Sequence, residues 1–116
     1  MNILLLLFFS FCSFSIDALE PEKSAKYMMD YHLVSIRDYS RYEDFTNLKT
    51  LFVDYPKEFD TEYKWPKIMK TLKDYEFTTL NAEYISFDSN GKPTGINGKV
   101  TLTIGNKTIT EEIRVE

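Results

Sequence analysis

The spacing of apolar positions changes along the chain, and each change predicts a different element. Residues 3–16 form an uncharged run dominated by Leu and Phe. Over residues 22–39, Ala25, Met28, Met29, His32, Leu33 and Ile36 recur at three- and four-residue spacing. That period predicts a helix with one apolar stripe, widened by Tyr27, Tyr31 and Val34. Pro21 stands near its start, where a missing N–H does no harm. Ser40-Arg41-Tyr42-Glu43 has the spacing of a capping box. It predicts a second helix over about residues 41–53, with Phe45, Leu48, Leu51 and Phe52 inward. Pro56 disfavours helix at Tyr55, so residues 55–60 read as a connection. A third helix is expected from near Pro66 to about Lys73, with Ile68, Met69 and Leu72 inward.

Beyond Lys73 the period falls to two. Residues 77–87 are rich in aromatic and β-branched side chains and read as a strand. Its alternation falters at Leu80, Asn81 and Ala82, which marks a bulge. Asn90-Gly91 is the strongest turn signal in the loop that follows. A two-residue turn there would set Ile85 opposite Ile96 and Phe87 opposite Thr94. Ile96, Val100, Leu102 and Ile104 alternate with Lys99, Thr101 and Thr103, and Gly98 takes the inward slot between Ile96 and Val100. Gly105-Asn106 favours a type II′ turn into a last strand over residues 108–115. That turn pairs Leu102 with Ile109, Gly98 with Ile113 and Ile96 with Val115. On the other face it pairs Thr101 with Thr110, Thr103 with Thr108 and Lys99 with Glu112. Apolar pairs share one face and opposite charges meet on the other, so the register is self-consistent. The expectation is an α+β fold, with N-terminal helices packed on a C-terminal antiparallel meander sheet of three or more strands.

The apolar N-terminal run is shorter than the roughly 20 residues needed to span a bilayer. It has the length of the core of a secretory signal peptide. Cleavage after Ala18, with Ile16 and Ala18 at the −3 and −1 positions, would make residues 1–18 a signal peptide and residues 19–116 a single domain. Ser13 and Ser15 offer a second cleavage site. An uncleaved anchor and a buried first helix are the alternatives. A lipid attached at Cys12 would need small residues before it, and Phe11 fits that badly. Cleavage removes the single cysteine of the chain, which suits an oxidising compartment. The expected location is secreted or periplasmic, with no stable membrane span once the signal is removed.

Composition narrows the functions further. The chain has 116 residues, 18 acidic and 14 basic, for a net charge of −4. That balance points away from nucleic acid. Disorder is excluded by 43% hydrophobic and 16% aromatic content. One cysteine rules out an intrachain disulfide and multi-cysteine metal sites. The single histidine, His32, is the one candidate acid–base catalyst, in concert with a tyrosine or with a carboxylate such as Asp30 or Glu83. Its position on the apolar stripe is the ordinary place of a histidine at the core boundary with a hydrogen-bond partner. No second histidine, Gly-x-Ser-x-Gly elbow or Gly-rich phosphate loop accompanies it, so no metal and no cofactor is expected. Asp54, Glu58, Asp60 and Glu62 bracket one loop and supply oxygens for a hard cation or simply a solvated surface.

Two sets of residues are candidates for binding. Lys64, Lys67, Lys70 and Lys73 recur every three residues and form a basic ridge on the third helix. Such a ridge is either an ordinary solvated face or a docking surface for an acidic partner or an anionic headgroup. Tyr27 and Tyr31 belong to a set of 8 tyrosines, a residue common at core rims and at interfaces. Asn106-Lys107-Thr108 matches the N-glycosylation pattern.

The order of elements, with helices before the turn-delimited hairpin of residues 96–104 and 108–115, resembles small secreted domains of the NTF2-like and cystatin-like kind. The resemblance implies a concave sheet face able to hold a ligand or partner, and it transfers no functional residue. The function expected is therefore an exported small binding or protein-interaction domain, its ligand or protein partner unnamed. A small pocket enzyme using His32 and a structural subunit of an envelope assembly are the competing readings.

Overall fold

The computed structural model describes Ser13, Phe14 and residues 23–116. Helix α1, Ala25–Arg41, begins where the Ser24 side chain accepts from the Tyr27 amide at 3.0 Å. It buries Ala25, Met28, Met29, His32, Leu33, Ile36 and Ser40. Tyr27 and Tyr31 do not widen this stripe: they are 51% and 58% exposed. Each lies two residues before a core position, Met29 and Leu33, hence about 200° round the helix from it.

The expected capping box does not form, because α1 runs through it. The Ser40 hydroxyl donates back to the Ile36 carbonyl at 2.8 Å. The helix ends with Glu43 in the left-handed region, φ 54°. The Asp44 amide returns to Tyr39 O at 2.8 Å and the Glu43 amide to Ser40 O at 3.2 Å. This is a Schellman ending built on a non-glycine residue. Asp44 then caps α2, Phe45–Thr50, by accepting from the Asn47 amide at 3.2 Å. The second helix is thus much shorter than its apolar spacing predicts, and Phe52–Asp54 forms strand β2. The expected connection holds a short helix, α3, Glu58–Thr61. It ends in the same way, with Tyr63 at φ 53° and the Lys64 amide bonded to Phe59 O at 3.0 Å. Helix α4, Trp65–Leu72, starts with proline in its first turn and buries Trp65, Ile68 and Leu72.

The C-terminal half is an antiparallel meander of β3, Glu76–Phe87, β4, Pro93–Ile104, and β5, Lys107–Val115. The β4–β5 register matches the pattern argument at every pair, including Leu102↔Ile109, Gly98↔Ile113 and Lys99↔Glu112. Gly105 supplies the positive φ, 60°, at the turn. The β3–β4 register differs by one residue from that of a two-residue Asn90-Gly91 turn. Tyr84, not Ile85, faces Ile96, and Phe87 faces Pro93. The Asp88 side chain is the reason. It accepts from the amides of Asn90 and Lys92, both at 2.9 Å, while the Gly91 amide bonds Asp88 O at 3.0 Å. These bonds build a longer loop with Gly91 at φ 79°, which sets the Phe87↔Pro93 pair; irregularities on either side of Ser86, which faces Gly95, then carry the register to Tyr84↔Ile96. The bulge near Leu80 is present as a register shift between Thr79 and Asn81.

Ser13–Phe14 forms β1, which joins β2 to β5. Among the described residues the sheet has five strands in the order β2-β1-β5-β4-β3. The fold is α+β, with the helices against one face of the sheet. Met29, Leu33, Ile36, Leu72, Tyr75, Ile96, Val100, Leu102, Ile113 and Val115 meet in the core. Gly98 and Ala82 pair across β3 and β4, leaving a shallow saddle for Met29. A β-carbon on Gly98 would stand 2.8 Å from Met29 Cε. The Tyr75 hydroxyl, buried against the middle of α1, donates to Leu33 O at 2.6 Å, and burial pushes its pKa up.

Candidate functional site

The third-helix lysines do not act as one ridge. Lys64 pairs with Glu62 at 3.1 Å, and Lys67 is exposed. Lys70 and Lys73 turn instead toward the C-terminal end of α1. There they line a cavity of about 220 Å³ together with Ser40, Arg41, Glu43, Pro66 and Met69. Sequence reasoning missed Arg41, because the capping-box reading set it at the start of a helix rather than at the end of one.

Arg41 locks the cleft. Its Nε donates to the Lys73 carbonyl at 3.2 Å, tying the end of α1 to the end of α4. Cations suit this place, because α1 and α4 both bring the negative ends of their dipoles to it. That bond uses one of the five guanidinium N–H groups, and among the described residues the other four make no hydrogen bond. Arg41, Lys70 and Lys73 form no ion pair within 4 Å among the described residues. Glu43 is the one acid in the lining. It is exposed, on a left-handed backbone fixed by the Schellman bonds. The Ser40 hydroxyl is engaged with Ile36 O. An otherwise acidic chain therefore carries a local cationic cleft with an apolar wall from Pro66 and Met69.

The other candidates fall elsewhere. Tyr27 and Tyr31 stand exposed on the outer side of α1, with Lys23 Nζ 5.1 Å from the Tyr27 ring centre. Tyr31 is ten residues from Arg41, about 15 Å along the helix axis, so the tyrosines and the lysines are not brought together. His32 is 1% exposed and is not in the cleft lining. Burial lowers its pKa to about 4, leaving the ring neutral near pH 7. Asp30, one acid considered beside it, accepts instead from the Thr79 hydroxyl.

Asp54, Glu58, Asp60 and Glu62 do not converge on a metal position: among the described residues no group of three or more ligands could hold one. Asp60 is used internally. It accepts from Tyr55 Oη at 2.7 Å and from Trp65 Nε1 at 2.8 Å, and Lys49 Nζ lies 3.8 Å away. The Tyr55 and Trp65 bonds hold its pKa below the usual carboxylate value. The Tyr55 hydroxyl and Asp60 raise that of Lys49. Rings of Phe45, Phe52, Tyr55 and Phe59 surround Trp65 at centroid distances of 5.1–5.4 Å. This cluster anchors α3 and β2, and its polar groups are satisfied by one another.

No described helix is long and apolar enough to cross a membrane. Comparison of the chain with protein-family models, with curated proteins and with solved structures finds no match.

Proposed function

We propose that this chain is an exported binding domain that holds an anionic group of a protein partner in the Arg41–Lys70–Lys73 cleft. The observation that carries the reading is the lack, among the described residues, of ion-paired partners for three cations around one cavity, in a chain of net charge −4. Size selects the kind of ligand. Small-molecule sites usually occupy roughly 300–1,000 Å³, whereas this cavity is about 220 Å³. It fits a carboxylate or phosphate carried by something larger. Arg41 supplies a planar fork for two oxygens, and the lysines supply mobile point charges. Met69 and Pro66 provide apolar contact beside them.

Export rests on the uncharged run over residues 3–16. The resemblance to NTF2-like and cystatin-like secreted domains is consistent with a ligand-holding role and contributes no residue to it. Acid–base catalysis by His32 gains no support, since a ring 1% exposed does not meet a ligand in the cleft.

Affinity capture from the secreted or envelope fraction of the native cell tests the reading. Wild-type protein and a Lys70→Glu/Lys73→Glu variant serve as parallel baits. A partner retained by wild type and lost by the variant supports the cleft. A partner held equally by both, or a compact monomer that captures nothing, overturns it.

A further inference from the structure

Strand β1 fills a gap between two strands that do not pair with each other. Ser13 pairs with Asp54 and Phe14 with Phe52, antiparallel. On its other side Phe14 pairs with Val115, parallel. Strands in a sheet stand about 4.8 Å apart, so β2 and β5 are separated here by about 10 Å, the width of one strand. Loss of residues 1–18 would empty that space. Backbone N–H and C=O groups of Phe52–Asp54 on one wall, and around Val115 on the other, would then lack strand partners, a condition proteins seldom leave uncompensated away from water.

The walls of this gap are apolar. Val115 is 0% and Phe52 9% exposed with β1 in place. The rest of the β5 edge is guarded. Thr108, Thr110 and Glu112 lie on its outer face. Glu111 sits half-buried on the inner face opposite Val100, and an inward charge on an edge strand discourages pairing. Among the described residues, only the C-terminal end of β5 combines an unguarded edge with a facing wall.

We propose that the gap between β2 and β5 is a strand-acceptor site in the exported protein. It takes an extended segment of a partner protein, parallel to β5, with an aromatic or β-branched residue in the position of Phe14. Backbone hydrogen bonds to both walls hold the segment, and the residue in register between Phe52 and Val115 selects it. The proposal rests on removal of residues 1–18 and names how the partner of the binding-domain reading is gripped, apart from the basic cleft.

The test uses protein exported from cells expressing the full chain. N-terminal sequencing comes first. A retained Met1 overturns the proposal, because the chain's own strand then keeps the site. For a chain starting near Leu19, amide hydrogen exchange at residues 52–54 and 113–116 is measured with and without a synthetic peptide of residues 11–17 carrying Cys12→Ser. Saturating peptide slows exchange at both walls by roughly tenfold or more, and a Phe14→Asp peptide does not. Amides already slow without peptide, meaning that β2 has closed onto β5, overturn the proposal. So does a lack of response to the peptide, or a dimer that fills the site with a second copy. Any of these results in a cleaved chain leaves the cleft reading intact, since capture by the Lys70→Glu/Lys73→Glu bait tests that separately.

Discussion

Gly98→Ala probes how closely α1 approaches the sheet. The added β-carbon would stand 2.8 Å from Met29 Cε, 3.3 Å from Met29 Cγ and 3.4 Å from the Asn81 carbonyl. Carbon atoms in good contact sit at about 3.5–4.0 Å, so the overlap with Met29 approaches 1 Å. Met29 has flexible bonds, yet it is 0% exposed among Leu33, Ile36 and Val100 and has little room to turn. Overpacking of this kind costs about 1–3 kcal/mol. Alanine also gains roughly 0.5–1 kcal/mol over glycine in a strand interior, through the unfolded chain. The net expectation is a loss of about 1–2 kcal/mol, read as a lower urea midpoint at unchanged slope. Met29→Ala alone should cost about 2–5 kcal/mol. The double variant should lose less than the two singles together, by on the order of 1 kcal/mol, because the second change makes room for the first. A Gly98→Ala protein as stable as wild type, or strictly additive losses, would refute the close packing of α1 on the Ala82–Gly98 saddle.

Further outcomes follow from the same packing. Leu102, 0% exposed, pairs with Ile109 on the core face, so Leu102→Ala should cost about 2–5 kcal/mol in denaturant melts. Thr101→Ala, on the outer face, should stay within about 0.5 kcal/mol; equal losses would mean the sheet faces are reversed. His32 has a folded pKa of about 4 against an ordinary 6.5. The unfolded chain therefore takes up a proton below about pH 6.5 that the folded chain refuses until near pH 4. Its contribution is complete above pH 6.5 and declines as pH falls through that window, by up to about 3 kcal/mol. Urea melts of wild type and His32→Leu between pH 7.5 and 4.5 isolate this effect from the carboxylates common to both. Parallel curves would contradict a buried neutral histidine.

The parts of the fold legible in the sequence were those where one local rule had no competitor. Gly105-Asn106 fixed a turn type, and alternation on both sides fixed the same register, so β4 and β5 paired as expected. The first hairpin misled because Asp88, just outside the Asn90-Gly91 signal, captured two amides and lengthened the loop. Ser40 and Glu43 misled for a related reason. Their spacing suits the start of a helix, but a Schellman ending needs only backbone groups and a left-handed residue, and Glu43 accepts that geometry without the usual glycine. The error at Ser40 carried over to the site. With Arg41 read as a helix start, its meeting with Lys73 across 32 residues of chain was invisible. Lys70 was legible as part of a three-residue repeat, while its separation from Lys64 and Lys67 depended on how α4 crosses α1. Strands β1 and β2 gave no periodic signal, being two and three residues long.

The Arg41–Lys70–Lys73 cleft is proposed to hold an acidic group of a partner. Its most direct test is a titration of the exported protein, followed by amide chemical shifts, with a hexaglutamate peptide in one arm and inorganic phosphate in the other. Saturable shifts are expected at residues 40–43 and 69–73 in at least one arm. Affinity should fall at least about tenfold between 20 mM and 500 mM salt, as screening of an exposed cationic site requires, and should vanish in Lys70→Glu/Lys73→Glu. Shifts confined to Tyr27 and Tyr31, or an unchanged response in the charge-reversed variant, would contradict it.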